Sequence, residues 1–217
     1  MKRFLRRERQ VWKRVRRSLK MKRDEQLFRV CQAELEQLRA KLRSGWDGLE
    51  LWYFDEAGFS LVPSVPYAWQ PIGERIELES SASSGKRQNV LGFVRWDGGD
   101  FYSLAFEGRI DSHIVAGCFR QFAAEKKGGK RKLIVLDNAP IHRSEEFAEE
   151  LEELAQLGID VLFLPSYSPE LNLIEMLWKK IKYEWLPLNI YGSFKTMTEG
   201  LFEVLKEVSS KYRITFA

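Results

Sequence analysis

The sequence predicts an α/β chain: a mixed five-stranded sheet flanked by helices, with a basic helical extension at its N-terminus. Three observations lead there. Two short apolar runs, at 49–54 and 133–136, each pass into an aspartate followed by polar and small residues, Asp55-Glu56-Ala57-Gly58 and Asp137-Asn138-Ala139-Pro140. Runs of that length bounded by turn formers read as buried strands, and a carboxylate leaving such a strand arrives at the edge where ligands sit in open α/β sheets. Segments of helical period alternate with strands through the second half of the chain, as parallel crossovers require. Residues 1–23 hold 12 of the 35 Lys and Arg but only one of the 31 acids, Glu8, so a basic arm precedes an acidic body.

Taken in order, residues 6–43 contain no Pro or Gly and are expected to be helical throughout, with Leu27, Cys31, Leu35, Leu38 and Leu42 on one face for packing against the body or another subunit. Upstream, Trp12, Val15 and Leu19 interleave with Lys13, Arg14, Arg16 and Arg17, a basic surface suited to a phosphate backbone. Ser44-Gly45-Trp46-Asp47-Gly48 ends the helix and divides a 1–45 arm from a 46–217 body. After the strand ending at Asp55, residues 59–73 carry three prolines with Tyr67 and Trp69, and read as irregular structure with a short hairpin. Core packing is the better assignment for those two rings than stacking on bases. Residues 90–96 and 101–106 form a hairpin across Asp97-Gly98-Gly99-Asp100. A helix follows on Ile110, Ile114, Cys118, Phe119 and Phe122, and then comes the Asp137 strand. Ser144 caps a helix carrying Phe147, Leu151 and Leu154, which Gly158 closes. Residues 159–164 are the last strand, 165–169 a proline-bounded loop, and two further helices bury Leu173, Ile174, Leu177, Trp178, Ile181 and Trp185, then Phe194, Met197, Leu201, Val204, Leu205 and Val208.

A strand meander followed by right-handed crossovers makes the late strands parallel to the first, so Asp55 and Asp137 leave the sheet at one edge. The predicted topology is that of ribonuclease H. A third carboxylate is then sought among many acids. Glu175 lies in the first turn of a helix that starts at the same edge, yet Asn172 with Glu175 three residues on is also a capping box that needs no metal. Glu170 and Glu56 compete, although Glu56, adjacent to Asp55, should point to the opposite face. Spacing alone leaves this open.

Three blocks now carry a resemblance: Phe54-Asp-Glu-Ala-Gly-Phe59, Leu136-Asp-Asn-Ala-Pro-Ile-His142 and Leu164-Pro-Ser-Tyr-Ser-Pro-Glu-Leu-Asn-Leu-Ile-Glu-Met-Leu-Trp178. In this order they resemble the signature blocks of the mariner-related DDE transposases, most closely the bacterial insertion-sequence members. The resemblance runs from about residue 49 to the C-terminus. It implies a ribonuclease-H-like fold, cut-and-paste DNA transposition, and Asp55, Asp137 and Glu175 as catalytic residues holding two Mg²⁺ or Mn²⁺ ions. Asp55 is expected to bridge both ions, with Asp137 and Glu175 each on one, and mutual repulsion should raise one carboxyl's pKa in the absence of metal. Double-stranded DNA, as transposon ends and target, is the implied partner, and a homodimer the implied active form. Leu173 stands where the family usually has proline. The chain has only a basic helix where family members carry helix-turn-helix modules, so it resembles a catalytic half, from a downstream frame or a truncated copy.

Around the triad, Asn138, His142 and Lys179 are candidate DNA contacts beside Lys13, Arg14, Arg16 and Arg17. His142, which could equally orient a metal-bound water, alternatively packs at the surface after its Pro turn, and Lys179, with Lys180 and Lys182, alternatively forms a solvated face. Two cysteines, Cys31 and Cys118, are too few for a disulfide framework and read as buried thiols in a reducing compartment. No apolar run spans a membrane and no secretory signal is present, so a cytoplasmic, nucleoid-associated protein is expected. Competing readings are a ribonuclease-H-like nuclease without strand transfer and an inactive remnant that only binds DNA.

Overall fold

The structure is a computed structural model that describes residues 2–10, 20–62, 71–73 and 85–216. Strands β1 (Leu49–Ser60), β2 (Arg87–Arg95), β3 (Phe101–Glu107), β4 (Arg131–Leu136) and β5 (Ile159–Phe163) form one sheet in the order β3-β2-β1-β4-β5. β1, β4 and β5 are parallel, β2 runs antiparallel to β1, and β3, antiparallel to β2, returns to the direction of β1. Helices α1 (Lys2–Arg7), α2 (Glu25–Arg43), α3 (Ser112–Glu125), α4 (Glu145–Gln156), α5 (Ile174–Lys180) and α6 (Phe194–Lys206) complete the described fold. This is the ribonuclease-H-like arrangement that the alternation of periods predicts.

Side chains alternate across a strand, so the sheet separates two cores. Leu51, Tyr53, Ala57 and Phe59 of β1 join Val135 of β4 and the buried faces of α2, α5 and α6. Trp52 and Phe54 pack on the other side with Phe119 and Phe122 of α3 and Phe147 of α4. The second core is largely aromatic: the Phe93 and Phe122 rings stack at 4.2 Å between centroids, and Phe54 meets Phe119 at 4.8 Å.

Two expectations are corrected. The basic segment is not one helix over residues 6–43. α1 stops at Arg7 and Arg9 takes a positive φ of 52°. A new helix begins at Glu25, because the Asp24 carboxylate accepts the Gln26 and Leu27 amides and so caps it. On α2, Cys31 and Leu35 are buried, and Phe28, Leu38 and Leu42 pack against the same core, whereas Leu27 is 52 % exposed. The strand expected to end at Asp55 continues to Ser60, because its second half pairs with β2 from Asp55↔Gly92 to Ser60↔Arg87. Lys13, Arg14, Arg16 and Arg17, and also Tyr67 and Trp69, lie outside the described residues.

Candidate active site

The parallel ladder between β1 and β4 ends at Tyr53↔Val135. Both are buried in the core that includes α5. Two residues further, alternation brings Asp55 and Asp137 out on that same face. β4 has ended by then, so among the described residues no strand covers this side of β1 and the sheet opens into a cleft. Glu175 projects from the first turn of α5, whose Ile174, Leu177 and Trp178 are buried against the sheet. Asp55, Asp137 and Glu175 line one cavity of about 430 Å³ with Asn138, Asn172 and the loop from Pro165 to Pro169.

Asn172 positions the third acid by a route different from the predicted cap. Its carboxamide nitrogen donates to the Phe54 carbonyl at 2.9 Å, one residue before Asp55. The Glu175 amide bonds instead to the Asn172 backbone carbonyl at 3.1 Å. The capping-box reading is therefore replaced by a cross-tie from α5 to β1. Leu173 holds φ −62°, the angle a proline imposes, so the departure from the family pattern leaves the helix start intact.

The cleft is electrostatically uneven. Burial, the adjacent Glu56 and the nearby Glu175 and Asp137 carboxylates push the Asp55 carboxyl well above its ordinary range. Burial also works against ionised Asp137, but the hydrogen bond and charge of His142 outweigh it and hold that carboxylate below its usual value. His142 itself is pushed up to about 10: burial opposes the charge, and the bonds to Asp137 and Glu56 more than reverse it. Lys182, beyond α5, is shifted down by burial and by Arg87, and Glu175 and Asp55 lie close enough to oppose that shift.

Other sequence candidates fall into place around this cleft. Asn138 lines it. Glu56 points away from it, as the strand period predicts, and bonds His142 at 2.8 Å. Glu170 is engaged by Arg23 at 2.5 Å and Lys20 at 2.9 Å, which ties the middle of the arm to the turn that follows the cleft's loop. His142 is revised: it is 1 % exposed and bonded at both ring nitrogens, so it is withdrawn from direct contact with DNA. Lys179 is exposed and does not line the cavity, whereas Lys182 lies close enough to Glu175 and Asp55 to sense their charge. Sequence reasoning missed Tyr167, which lines the cavity at a positive φ of 60° with its ring partly exposed. A tyrosine between serines carries no signal for that backbone.

Three carboxylates and the lining carboxamides of Asn138 and Asn172 form a hard-oxygen donor set of the kind that suits Mg²⁺ or Mn²⁺, and a bound cation would offset the neighbouring charges that, after burial, raise the Asp55 carboxyl. Among the described residues, no three His, Cys, Asp or Glu side chains converge tightly enough to enclose an ion as they stand. The described helices include none long and apolar enough to cross a membrane.

The family described as DDE superfamily endonuclease matches residues 50–198, a span containing all three acids. Among solved structures, the Mos1 strand transfer complex is similar at a TM-score of 0.62 and 18% identity, over 97% of this chain and 64% of that one. The Mos1 mariner paired-end complex with Mn is similar at 0.55 and 16%, over 100% of this chain and 71% of that one. For the catalytic domain of Mos1 mariner transposase the values are 0.52 and 14%, over 92% and 94%. At such identities the likeness is one of fold, and this chain spans 64% of the length of the first of these proteins. No curated protein sequence matches. With a family match over more than half its length, on a fold that sets Asp55, Asp137 and Glu175 around one cleft, the chain belongs to the DDE superfamily endonucleases.

Proposed function

We propose that this protein is the catalytic portion of a DNA transposase that cuts DNA at element ends and joins the freed 3′-ends to target DNA. The observation that carries this is the gathering of Asp55, Asp137 and Glu175 around one cavity where β1 runs on past the end of β4. These three would hold two Mg²⁺ or Mn²⁺ ions, with Asp55 shared. The bound ions would activate the attacking oxygen and stabilise the leaving one. The chain's own groups do the rest. Asn172 fixes the start of α5 against β1, His142 keeps Asp137 ionised and turned, and Lys182 supplies positive charge on the DNA side of Glu175. Residues 1–45 would serve as an arm on the phosphate backbone, with 46–217 as the catalytic body, and α2 seats the arm on that body. Double-stranded DNA is the partner, a homodimer the form that pairs two ends, and the cytoplasmic nucleoid the setting. The neighbours' own names, a strand transfer complex and a paired-end complex, support this direction.

The test is incubation of the full chain with end-bearing DNA and Mg²⁺ or Mn²⁺. Joined products are expected, and Asp137→Ala should abolish cleavage while DNA affinity is retained or raised. Nicking without joining favours a nuclease, and no cutting under any condition favours a binding remnant.

A further inference from the structure

Glu56 follows Asp55 on β1, so it emerges on the opposite face of the sheet, toward α3 and α4. Its Oε1 lies 2.8 Å from His142 Nε2, and His142 Nδ1 lies 2.9 Å from Asp137 Oδ1. The ring is 1 % exposed and wedged between Phe54 and Phe147, at centroid distances of 5.8 and 6.1 Å. An ionised carboxylate only accepts hydrogen bonds, so an imidazole between two of them donates from both nitrogens and cannot tilt toward one without leaving the other. The Ala139 amide donates to the same Asp137 oxygen at 3.1 Å. Both bonds land on Oδ1, so the carboxylate's rotation is fixed from one side.

We propose that Glu56 is a positioning residue that acts through His142 to hold the Asp137 carboxylate in the orientation from which it takes a divalent cation. Consecutive residues of one strand then serve the two halves of the site. Asp55 enters the cleft directly, and Glu56 passes to the other face and braces the aspartate of the neighbouring strand. The second partner of a ligand is what fixes its direction in metal sites, and its loss costs affinity even when every ligand remains. This inference rests on Asp137 being a cation ligand, and the experiment separates the two claims.

Mn²⁺ binding to the full chain is measured from the free-ion electron paramagnetic resonance signal, with circular dichroism verifying that each variant is folded. Glu56→Ala is expected to weaken Mn²⁺ binding about tenfold or more. Glu56→Asp, which keeps the charge but withdraws the oxygens from Nε2, should weaken it in the same direction and replaces the alanine variant should that one fail to fold. Glu56→Gln, whose amide oxygen still accepts from Nε2, should restore most of the affinity. In an Asp137→Ala background the Glu56 substitutions should add nothing, because their effect passes through Asp137. Unchanged Mn²⁺ affinity in Glu56→Asp beside a clear loss in Asp137→Ala overturns the positioning role and leaves the proposed function standing. Full additivity in the double variant also overturns it. Undiminished binding by Asp137→Ala would instead remove the ligand assignment, and this proposal with it.

Discussion

Asp55 and Asp137 each stand two residues beyond Tyr53 and Val135, the last rung shared by their parallel strands, and so emerge side by side on the face that α5 covers. The arrangement crowds negative charge around Asp55, and burial of that carboxyl together with Glu56, Glu175 and Asp137 raises it well above its normal range. Without a cation, ionised Asp55 therefore costs stability. Asp55→Asn is expected to raise the cation-free melting temperature at neutral pH, by roughly 2–4 °C for each kcal/mol recovered, while abolishing cleavage. Calorimetry with and without Mg²⁺ checks both parts, since only the wild type should gain strongly from the ion.

His142 supplies a pH signature. Its folded pKa of about 10 lies above the ordinary 6.5, so the folded state holds the proton more tightly. The stabilisation is complete below pH 6.5 and is lost as pH climbs through about 10. Asp137, held low, acts in the opposite sense: its contribution is present above the ordinary carboxyl value of 3.8 and fades as pH falls through its lowered folded one. Thermal melts of wild type and His142→Asn should differ most between pH 3.8 and 6.5 and converge as pH climbs through about 10. A constant difference would contradict the assignment.

Gly92 faces Asp55 across the β1–β2 ladder. A Cβ there would meet the Trp178 ring at 2.6 and 2.8 Å, so the missing side chain is what lets α5 close on the sheet. Gly92→Ala should cost about 1–3 kcal/mol by overpacking and displace Glu175, three residues from Trp178. Denaturant titration reads the first effect. Cleavage lost beyond what the folded fraction accounts for reads the second.

Asn172 is 3 % exposed and ties the approach to α5 to the Phe54 carbonyl at 2.9 Å. Asn172→Ala leaves that buried carbonyl without its partner, a cost of about 1–3 kcal/mol. Loss of cleavage with DNA affinity intact is expected, because the tie orients an acid and makes no claim on DNA.

Much of this was legible in the residues. Strands β4 and β5 announce themselves as apolar runs that end in turn formers, and the Asp97–Asp100 turn and the Ser144 cap stand where their chemistry places them. The three acids were reached by position and resemblance together. What could not be read was whatever depends on a distant partner. β1 runs on to Ser60 only because β2 pairs with it, although Ala57 and Gly58 look like a turn. Asn172 looks like a cap because Phe54 is 118 residues away. His142 reads equally as a group orienting DNA or a metal-bound water and as a packed surface residue until Glu56 and Asp137 are seen on either side of it. The break before α2 could have been found, since Asp24 is a strong capping residue inside an otherwise uniform helical pattern.

The measurement that bears most directly on the central claim is a crystal structure of the protein with Mn²⁺, read by anomalous scattering. The account expects manganese in the cleft, ligated by both Asp55 and Asp137, with Glu175 drawn in to complete the set. Manganese bound elsewhere, or Glu175 left turned away while the two aspartates remain metal-free, would contradict it.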